Sequence, residues 1–212
     1  MNLAARPQPL PAALRTAVPW KNGGGLTREV AAYPEGAALA DFDWRVSTAE
    51  VRNAGPFSLF PGVQRTLCVL QGTLALEVEG RQAVRLGTES APHGFSGDAP
   101  AHAQPGPEGV VDLNVMTRRG RFSARVAALQ FTRPVAHQTS SGVTLLFACV
   151  PLTVTVPGAA FPLARWDALK VTGATACTLA AAGAQGSCYL IEIAAEGRGI
   201  IGGGRRLPGE GA

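Results

Sequence analysis

An all-β protein is the expectation for this chain, on three observations. Stretches with the helical spacing of apolar residues are scarce, glycine and proline are frequent at 26 and 16 of 212 residues, and short runs alternate apolar with polar side chains between turn residues. Charged residues make up only 16% of the sequence. The length allows one large domain or two small ones with ample core.

The same composition sets aside several classes of function. Net charge is +4 and the isoelectric point is near 9.2, yet Lys and Arg are scattered and lysine is almost missing, which argues against nucleic-acid binding. No uninterrupted apolar segment is long enough to span a bilayer, so no membrane partner is expected. The N-terminus shows no apolar signal core and no cleavage pattern, which makes a reducing cytoplasm the expected location. Cys68 and Cys149 sit inside apolar runs and read as buried thiols; Cys177 and Cys188 could face each other across a hairpin. None of the four has the C-x-x-C spacing of a metal site.

Taken in order, residues 1–18 read as a proline-punctuated edge strand leading into Pro19-Trp20-Lys21-Asn22-Gly23-Gly24-Gly25-Leu26-Thr27-Arg28-Glu29. Inside regular structure each glycine costs roughly 0.5–1 kcal/mol relative to alanine, so a triplet marks positive φ or a close backbone approach. Two readings stay open: a tight turn between strands, or a turn whose freed N–H groups, with Trp20 and Lys21 beside them, line a pocket for a small polar or anionic ligand. It is not a nucleotide phosphate loop, because the lysine precedes the glycines and the required spacing is absent.

Residues 26–32 then read as a strand and 33–40, with Pro34 and Gly36, as a loop. Phe42, Trp44 and Val46 alternate with Asp43, Arg45 and Ser47, as in a strand with one buried and one polar face. Residues 57–60, bracketed by Gly55-Pro56 and Pro61-Gly62, read as a short strand between turns.

A faint self-similarity follows at an offset of 78 residues. Thr66-Leu67-Cys68-Val69 matches Thr144-Leu145-Leu146-Phe147; Leu74, Leu76 and Val78 match Leu152, Val154 and Val156; Gly80 matches Gly158. Either two ordinary hairpins coincide or the protein is two related β-sandwich lobes, 1–135 and 136–212, the first holding the pocket. Residues 98–109 read as a mobile surface loop and 110–116 as a strand carrying Asp112 and Asn114 between apolar neighbours. Arg118, Arg119 and Arg121 read as a solvated strand end, and the glycine-rich tail from Gly197 as frayed.

At four places the residues resemble the HutD/Ves family. The carriers are the segment 19–29 quoted above, Asp43-Trp44-Arg45-Val46-Ser47-Thr48-Ala49, Gly55-Pro56-Phe57-Ser58 with Pro61-Gly62 and Arg65, and Asp112-Leu113-Asn114-Val115-Met116-Thr117-Arg118. They cover the first lobe well and the second hardly at all. The resemblance implies a bicupin, two jelly-roll lobes in one chain, from a family associated with bacterial histidine-utilization operons. Its members are regarded as regulators or small-molecule binders with no established reaction.

The cupin frame tests for a metal position by position. A metal-binding cupin reads G-x5-H-x-H-x3,4-E-x6-G followed by G-x5-P-x-G-x2-H-x3-N. With Gly72 closing the first motif, the glutamate position falls on Arg65 and the histidine positions fall near Ser58 and Phe60. In the second motif Gly87, Pro92 and Gly94 fit with one residue fewer, and the histidine position lands on Gly97. No metal and no cofactor are therefore expected; His93 reads as a loop residue, His102 and His137 as surface.

A guanidinium in a barrel needs a counter-charge, because an unpaired buried charge costs several kcal/mol. Asp112 could supply it as a structural ion pair. Alternatively Arg65, alone or with Asp112, holds a ligand carboxylate in the forked geometry arginine favours. Lys21, Asn22, Arg45, Ser58 and Asn114 would then add hydrogen bonds, and Trp20, Trp44 and Phe57 apolar walls.

The first functional expectation is thus a metal-independent cupin that binds a small carboxylate metabolite and regulates histidine utilization, with urocanate or a formylated glutamate as the anion. Against it stand a protein-binding scaffold using the second lobe's sheet and a metal-free enzyme acting on a small acid. Enzymatic activity is the weaker expectation, since only Asp112 or Glu29 could serve as the base. The fold is also compatible with a homodimer, which nothing in the sequence demonstrates.

Overall fold

The computed structural model describes residues 6–20, 23–139 and 142–197, almost all in strands and short turns. In chain order the strands begin β1 (Arg6–Leu10), β2 (Ala17–Pro19), β3 (Gly25–Tyr33), β4 (Trp44–Val51), β5 (Gly55–Pro56) and β6 (Val63–Val78). Next come β7 (Val84–Gly87), β8 (His93–Ser96), β9 (Ala101–Arg118), β10 (Phe122–Phe131), β11 (Val135–Gln138) and β12 (Val143–Ala148). The last are β13 (Leu152–Val156), β14 (Ala159–Leu163), β15 (Ala168–Thr172), β16 (Ala176–Ala181) and β17 (Gly186–Ala195). A 3-10 turn at Ala12–Leu14 is the only helical element among the described residues, and no described helix is long and apolar enough to cross a membrane.

Two lobes result. The first is a wrapped antiparallel sheet, β2-β3-β4-β9-β6-β7, with β5 added to β9 and β8 to β6. One sheet can cover both sides of this lobe because β6 and β9 are 16 and 18 residues long and pair over nearly their whole length. They bend where the register slips between Val69 and Gln71 and again between Gly72 and Leu74, as bulges make strands do. Gly72 sits in this bend at φ 78°, and a Cβ there would lie 2.3 Å from the carbonyl oxygen of Gly109. Conformation and space both require glycine.

The second lobe stacks β1-β15-β12-β17-β10 against β11-β16-β13-β14. Leu146, Leu152, Val154, Leu163, Leu179 and Leu190 fill the space between. A third buried cluster joins the lobes back to back: Trp44, Val46, Leu113 and Val115 from the first meet Leu145, Phe147, Tyr189 and Ile191 from the second. Each large apolar side chain fully buried there is worth about 1.5–3 kcal/mol, so the junction is a core in its own right.

This junction explains where alternation misleads. Phe42, Trp44 and Val46 are buried as expected, but so are Asp43 and Ser47, because the other face of β4 looks into the first lobe. Asp43 is met there by Arg121. The expected solvated strand end is a set of staples: Arg118 donates to the carbonyls of Phe42 and Ala40, and Arg119 to the carbonyl of Val63 and to Asp98.

Other expectations are corrected by strand pairing. Residues 101–109 are not a loop but the first half of β9, with Ala101 and Ala103 buried on β6. Only Gly55 and Pro56 pair with β9, so 57–60 is not a strand. The division expected after residue 135 puts β1 and β10 in the first lobe; their hydrogen bonds run to β15 and β17 of the second. Cys177 and Cys188 lie on different sheets of the second lobe's core rather than across a hairpin, and both are free. The tail beyond Gly197 lies outside the described residues.

The match at an offset of 78 residues agrees with the direction of the side chains in its second half and not in its first. Leu74, Leu76 and Val78 face the first lobe's interior as Leu152, Val154 and Val156 face the second's, and Gly80 and Gly158 both take positive φ. In the preceding strand the interior partners of Leu67 and Val69 are Leu146 and Ala148, 79 residues on, while Leu145 faces the junction. A shift of one residue exchanges the faces of a strand, and the bulges in β6 account for the difference.

Candidate functional site

Alternation along β4, β9 and β6 dictates which side chains share the first lobe's interior with Ala49, Leu67 and Val69. Ser47, Asn114, Asp112 and Arg65 do. Asn114 lies opposite Ser47 on one side and Leu67 on the other; Asp112 lies between Ala49 and Val69. Arg65, Asp112 and Asn114 retain only 4%, 1% and 8% exposure, so three strongly polar groups sit where a sheet interior is ordinarily apolar.

Arg65 is embraced by rings. Its guanidinium carbon lies 4.9 Å from the ring centres of Phe57 and Phe95 and 5.6 Å from that of Phe60, and Nη1 donates to the carbonyl of Ser58 at 3.4 Å. Cation–π contacts reach about 2 kcal/mol when desolvated, which offsets part of the cost of burying the charge. Burial draws the Arg65 pKa down to about 10, opposed by Asp112, so the group is cationic at neutral pH. Burial pushes Asp112 up to about 7, against the pull of Arg65.

Nε of Arg65, Oδ1 of Asp112 and Oδ1 of Asn114 are buried without a hydrogen-bond partner. Leaving such a group unpaired costs about 1–3 kcal/mol, so each calls for a reason.

The glycine run places the neighbouring wall. Gly25 approaches Glu50 and Trp20 so closely that a Cβ would lie 2.4 Å from the Glu50 carbonyl oxygen and 3.3 Å from the indole. Trp20 donates from Nε1 to Oγ1 of Thr27 at 2.7 Å and meets Phe57 edge to face, ring centres 6.4 Å apart. Both rings are half-buried against the interior cluster.

The expected site residues thus divide. Trp20, Phe57, Arg65, Asp112 and Asn114 come together around one interior. Arg45 shares the face but is engaged, its Nε donating to Glu29 at 2.9 Å and its Nη1 to Ser47 at 3.3 Å. Ser58 is exposed, and its backbone carbonyl is the group that reaches Arg65. Trp44 is a correction: it points from the opposite face of β4 into the junction between lobes, stacked on Tyr33. Lys21 and Asn22 lie outside the described residues. Sequence reasoning missed Phe95 and Phe60 as partners of Arg65; the alternation of His93 and Phe95 beside Gly94 was the available signal for the first.

Surface grooves of about 730 and 350 Å³ flank residues 57–60. Phe57, Leu59, Glu77 and His102 help line the larger, and Ser58, Leu59, Phe60 and Arg118 the smaller. Neither is lined by Arg65, Asp112 or Asn114, so residues 57–60 form the wall between outside and polar interior. The residues at the cupin metal positions do not fit a metal: Ser58, Phe60, Arg65 and Gly97 offer no ligating set, and the described residues contain no group of three His, Cys, Asp or Glu side chains placed to hold one.

A lobe wrapped by two long bent strands and backed onto a second β lobe defines a cupin-like protein. The chain belongs to the HutD family, whose model matches residues 12–189. It is similar to an uncharacterized 21.2 kDa protein in the hutC 3' region of Pseudomonas putida, at 32% identity over 74% of this chain and 82% of that protein. It is also similar to Protein Ves of Citrobacter koseri, at 42% identity over 50% of this chain; the match spans 56% of that relative's length. Among solved structures, a conserved protein of unknown function from Pseudomonas aeruginosa aligns with TM-score 0.80 at 28% identity, covering 91% of this chain and 100% of that one. HutD from Pseudomonas fluorescens aligns with TM-score 0.77 at 28% identity and the same coverage. A cupin 2 conserved barrel domain protein from Leptotrichia buccalis shares the fold alone, with TM-score 0.58 at 9% identity over 88% of this chain and 96% of that one.

Proposed function

We propose that the first lobe binds a small carboxylate metabolite without a metal, with Arg65 as the anion receptor, and that binding serves to regulate histidine utilization. The observation that carries this reading is the unpaired Nε of a buried guanidinium facing the same interior as two unpaired oxygens. Arginine offers a planar fork of donors suited to a carboxylate, and the surrounding rings would make the exchange of water for ligand favourable. The pathway rests on the family and on the hutC neighbourhood of the Pseudomonas putida relative. Urocanate and a formylated glutamate are the candidate ligands, since both join a carboxylate to a planar group. Titration calorimetry of the parent and of Arg65→Ala against both acids tests it. Loss of at least tenfold in affinity is expected; unchanged affinity in the variant removes Arg65 from the site.

A second reading is favoured by Asp112, whose buried carboxyl has an unpaired oxygen and is pushed up to about 7 by desolvation. A buried carboxylate poised there suits a general base, so a metal-free enzyme acting on the same acid follows. Product formation that is abolished in Asp112→Asn would promote it; binding with no product in the parent would retire it.

A further inference from the structure

Two of the three unpaired atoms are oxygens, Asn114 Oδ1 an acceptor throughout and Asp112 Oδ1 an acceptor once its carboxyl ionises above about 7, and this narrows the ligand. Asp112 and Asn114 are two residues apart on β9, so their side chains rise from the same face about 7 Å apart along the strand. The residues opposite Asp112 are Ala49 and Val69, and Leu67 flanks Asn114; none of these carries a side-chain donor, while Ser47, on the other side of Asn114, accepts from Arg45 and makes no hydrogen bond to Asn114 Oδ1. The Arg65 guanidinium is directed to rings and to the Ser58 carbonyl, and Arg45 is committed to Glu29 and Ser47. Cys68 faces the junction between lobes instead. No described neighbour therefore supplies what the two Oδ1 atoms need. A plain carboxylate would satisfy Arg65 and bring a negative charge beside two acceptors that stay unpaired.

We propose that this interior selects acids that also carry an N–H donor, of amide or azole type, with Arg65 taking the anion and the Oδ1 atoms of Asp112 and Asn114 taking the donor. The inference rests on the reading of Arg65 as the carboxylate receptor and adds the chemistry of the ligand's other end. Sites built to accept a hydrogen bond reject analogues that lack the donor, because the buried acceptor is then stranded.

Calorimetry on the full chain at pH 8, where Asp112 is ionised, with N-acetylglycine and acetoxyacetate tests it, since the two differ by N–H against ester oxygen at nearly constant shape. The amide is expected to bind at least about tenfold more tightly. Asn114→Leu should shrink that ratio toward one while leaving acetoxyacetate nearly unaffected. Asn114→Gln, which keeps an amide oxygen without adding a charge and guards against misfolding of the leucine variant, should preserve it. Equal affinities for the two probes in the parent overturn the selection of N–H donors and leave the anion receptor standing. Unchanged affinity of both probes in Arg65→Met, or failure of the parent to bind either one, overturns the receptor and this inference together.

Discussion

Arg65 and Asp112 occupy the same lobe interior on neighbouring strands, attract one another, and form no ion pair: three rings take up the guanidinium and Asp112 keeps an unpaired oxygen. Contact would have held the carboxyl below its ordinary range, whereas here desolvation prevails and the pKa rises. Separated buried charges lower stability, so the surrounding β packing must carry them. Groups with perturbed pKa values cluster at functional sites more than elsewhere, which is why this pair anchors the proposed receptor.

The first prediction concerns stability and pH. Asp112 holds its proton to about 7 when folded, while the unfolded chain releases it near 3.8. Between those values the folded state binds more protons, so the stability this group lends at low pH is lost as pH rises toward 7, with a limiting slope of about 1.4 kcal/mol per unit. Asp112→Asn removes that dependence. Urea unfolding at pH 4.5, 6 and 8 should show the variant gaining on the parent across the window and the difference levelling above 7. A difference independent of pH would mean that Asp112 ionises normally.

A second prediction separates the two charges. Arg65 opposes the upward shift of Asp112, so Arg65→Met should move the carboxyl's titration above about 7. Carbon-detected NMR of labelled aspartate, assigned through Asp112→Asn, reads this directly. A titration that stays in place would show that the guanidinium exerts no field at Asp112.

The bend of the first lobe yields a third. Gly72→Ala meets both a positive φ and a backbone oxygen at 2.3 Å, whereas Gly80 has a similar φ of 74° with no atom within 4 Å of the added carbon. The conformational cost common to both is about 1–2 kcal/mol. Denaturant unfolding should therefore find Gly80→Ala mildly destabilised and Gly72→Ala worse by several kcal/mol, the backbone of β6 and β9 having no flexible atom to yield. Equal losses would show that the bend can open.

Much of this was legible in the sequence because alternation survives wherever a strand has one buried face. The strands at 66–69, 74–78 and 152–156 could be recognised, though not that the first two are halves of one bent strand, and Gly72 and Arg65 could be aligned to a cupin frame that put the guanidinium inside. What failed was local pattern overruled by tertiary packing. Residues 101–109 look like a loop because their prolines and glycines are tolerated on a bending strand that β6 supports. β1 joins the distant β15, a pairing over more than 150 residues that no local spacing announces. The side of β4 facing the site could not be chosen either, since both faces are buried and periodicity marks only a contrast.

That ambiguity at β4 gives the last prediction. Trp44, the expected wall of the ligand site, lies instead at 3% exposure among Val46, Leu145, Phe147 and Ile191, on the side turned from Arg65. Phe57 is the ring that touches both the guanidinium and the larger groove. Trp44→Leu should lower the unfolding free energy by about 1–3 kcal/mol through lost packing between lobes and leave acid binding unchanged in the folded fraction. Phe57→Leu removes a cation–π partner and part of the wall without opening a core, so it should shift affinity by several-fold at a stability cost of about 1 kcal/mol. Calorimetry with urocanate beside urea unfolding of the same preparations reads both quantities. If Trp44→Leu changed affinity more than Phe57→Leu, the ligand would sit at the junction of the lobes rather than inside the first.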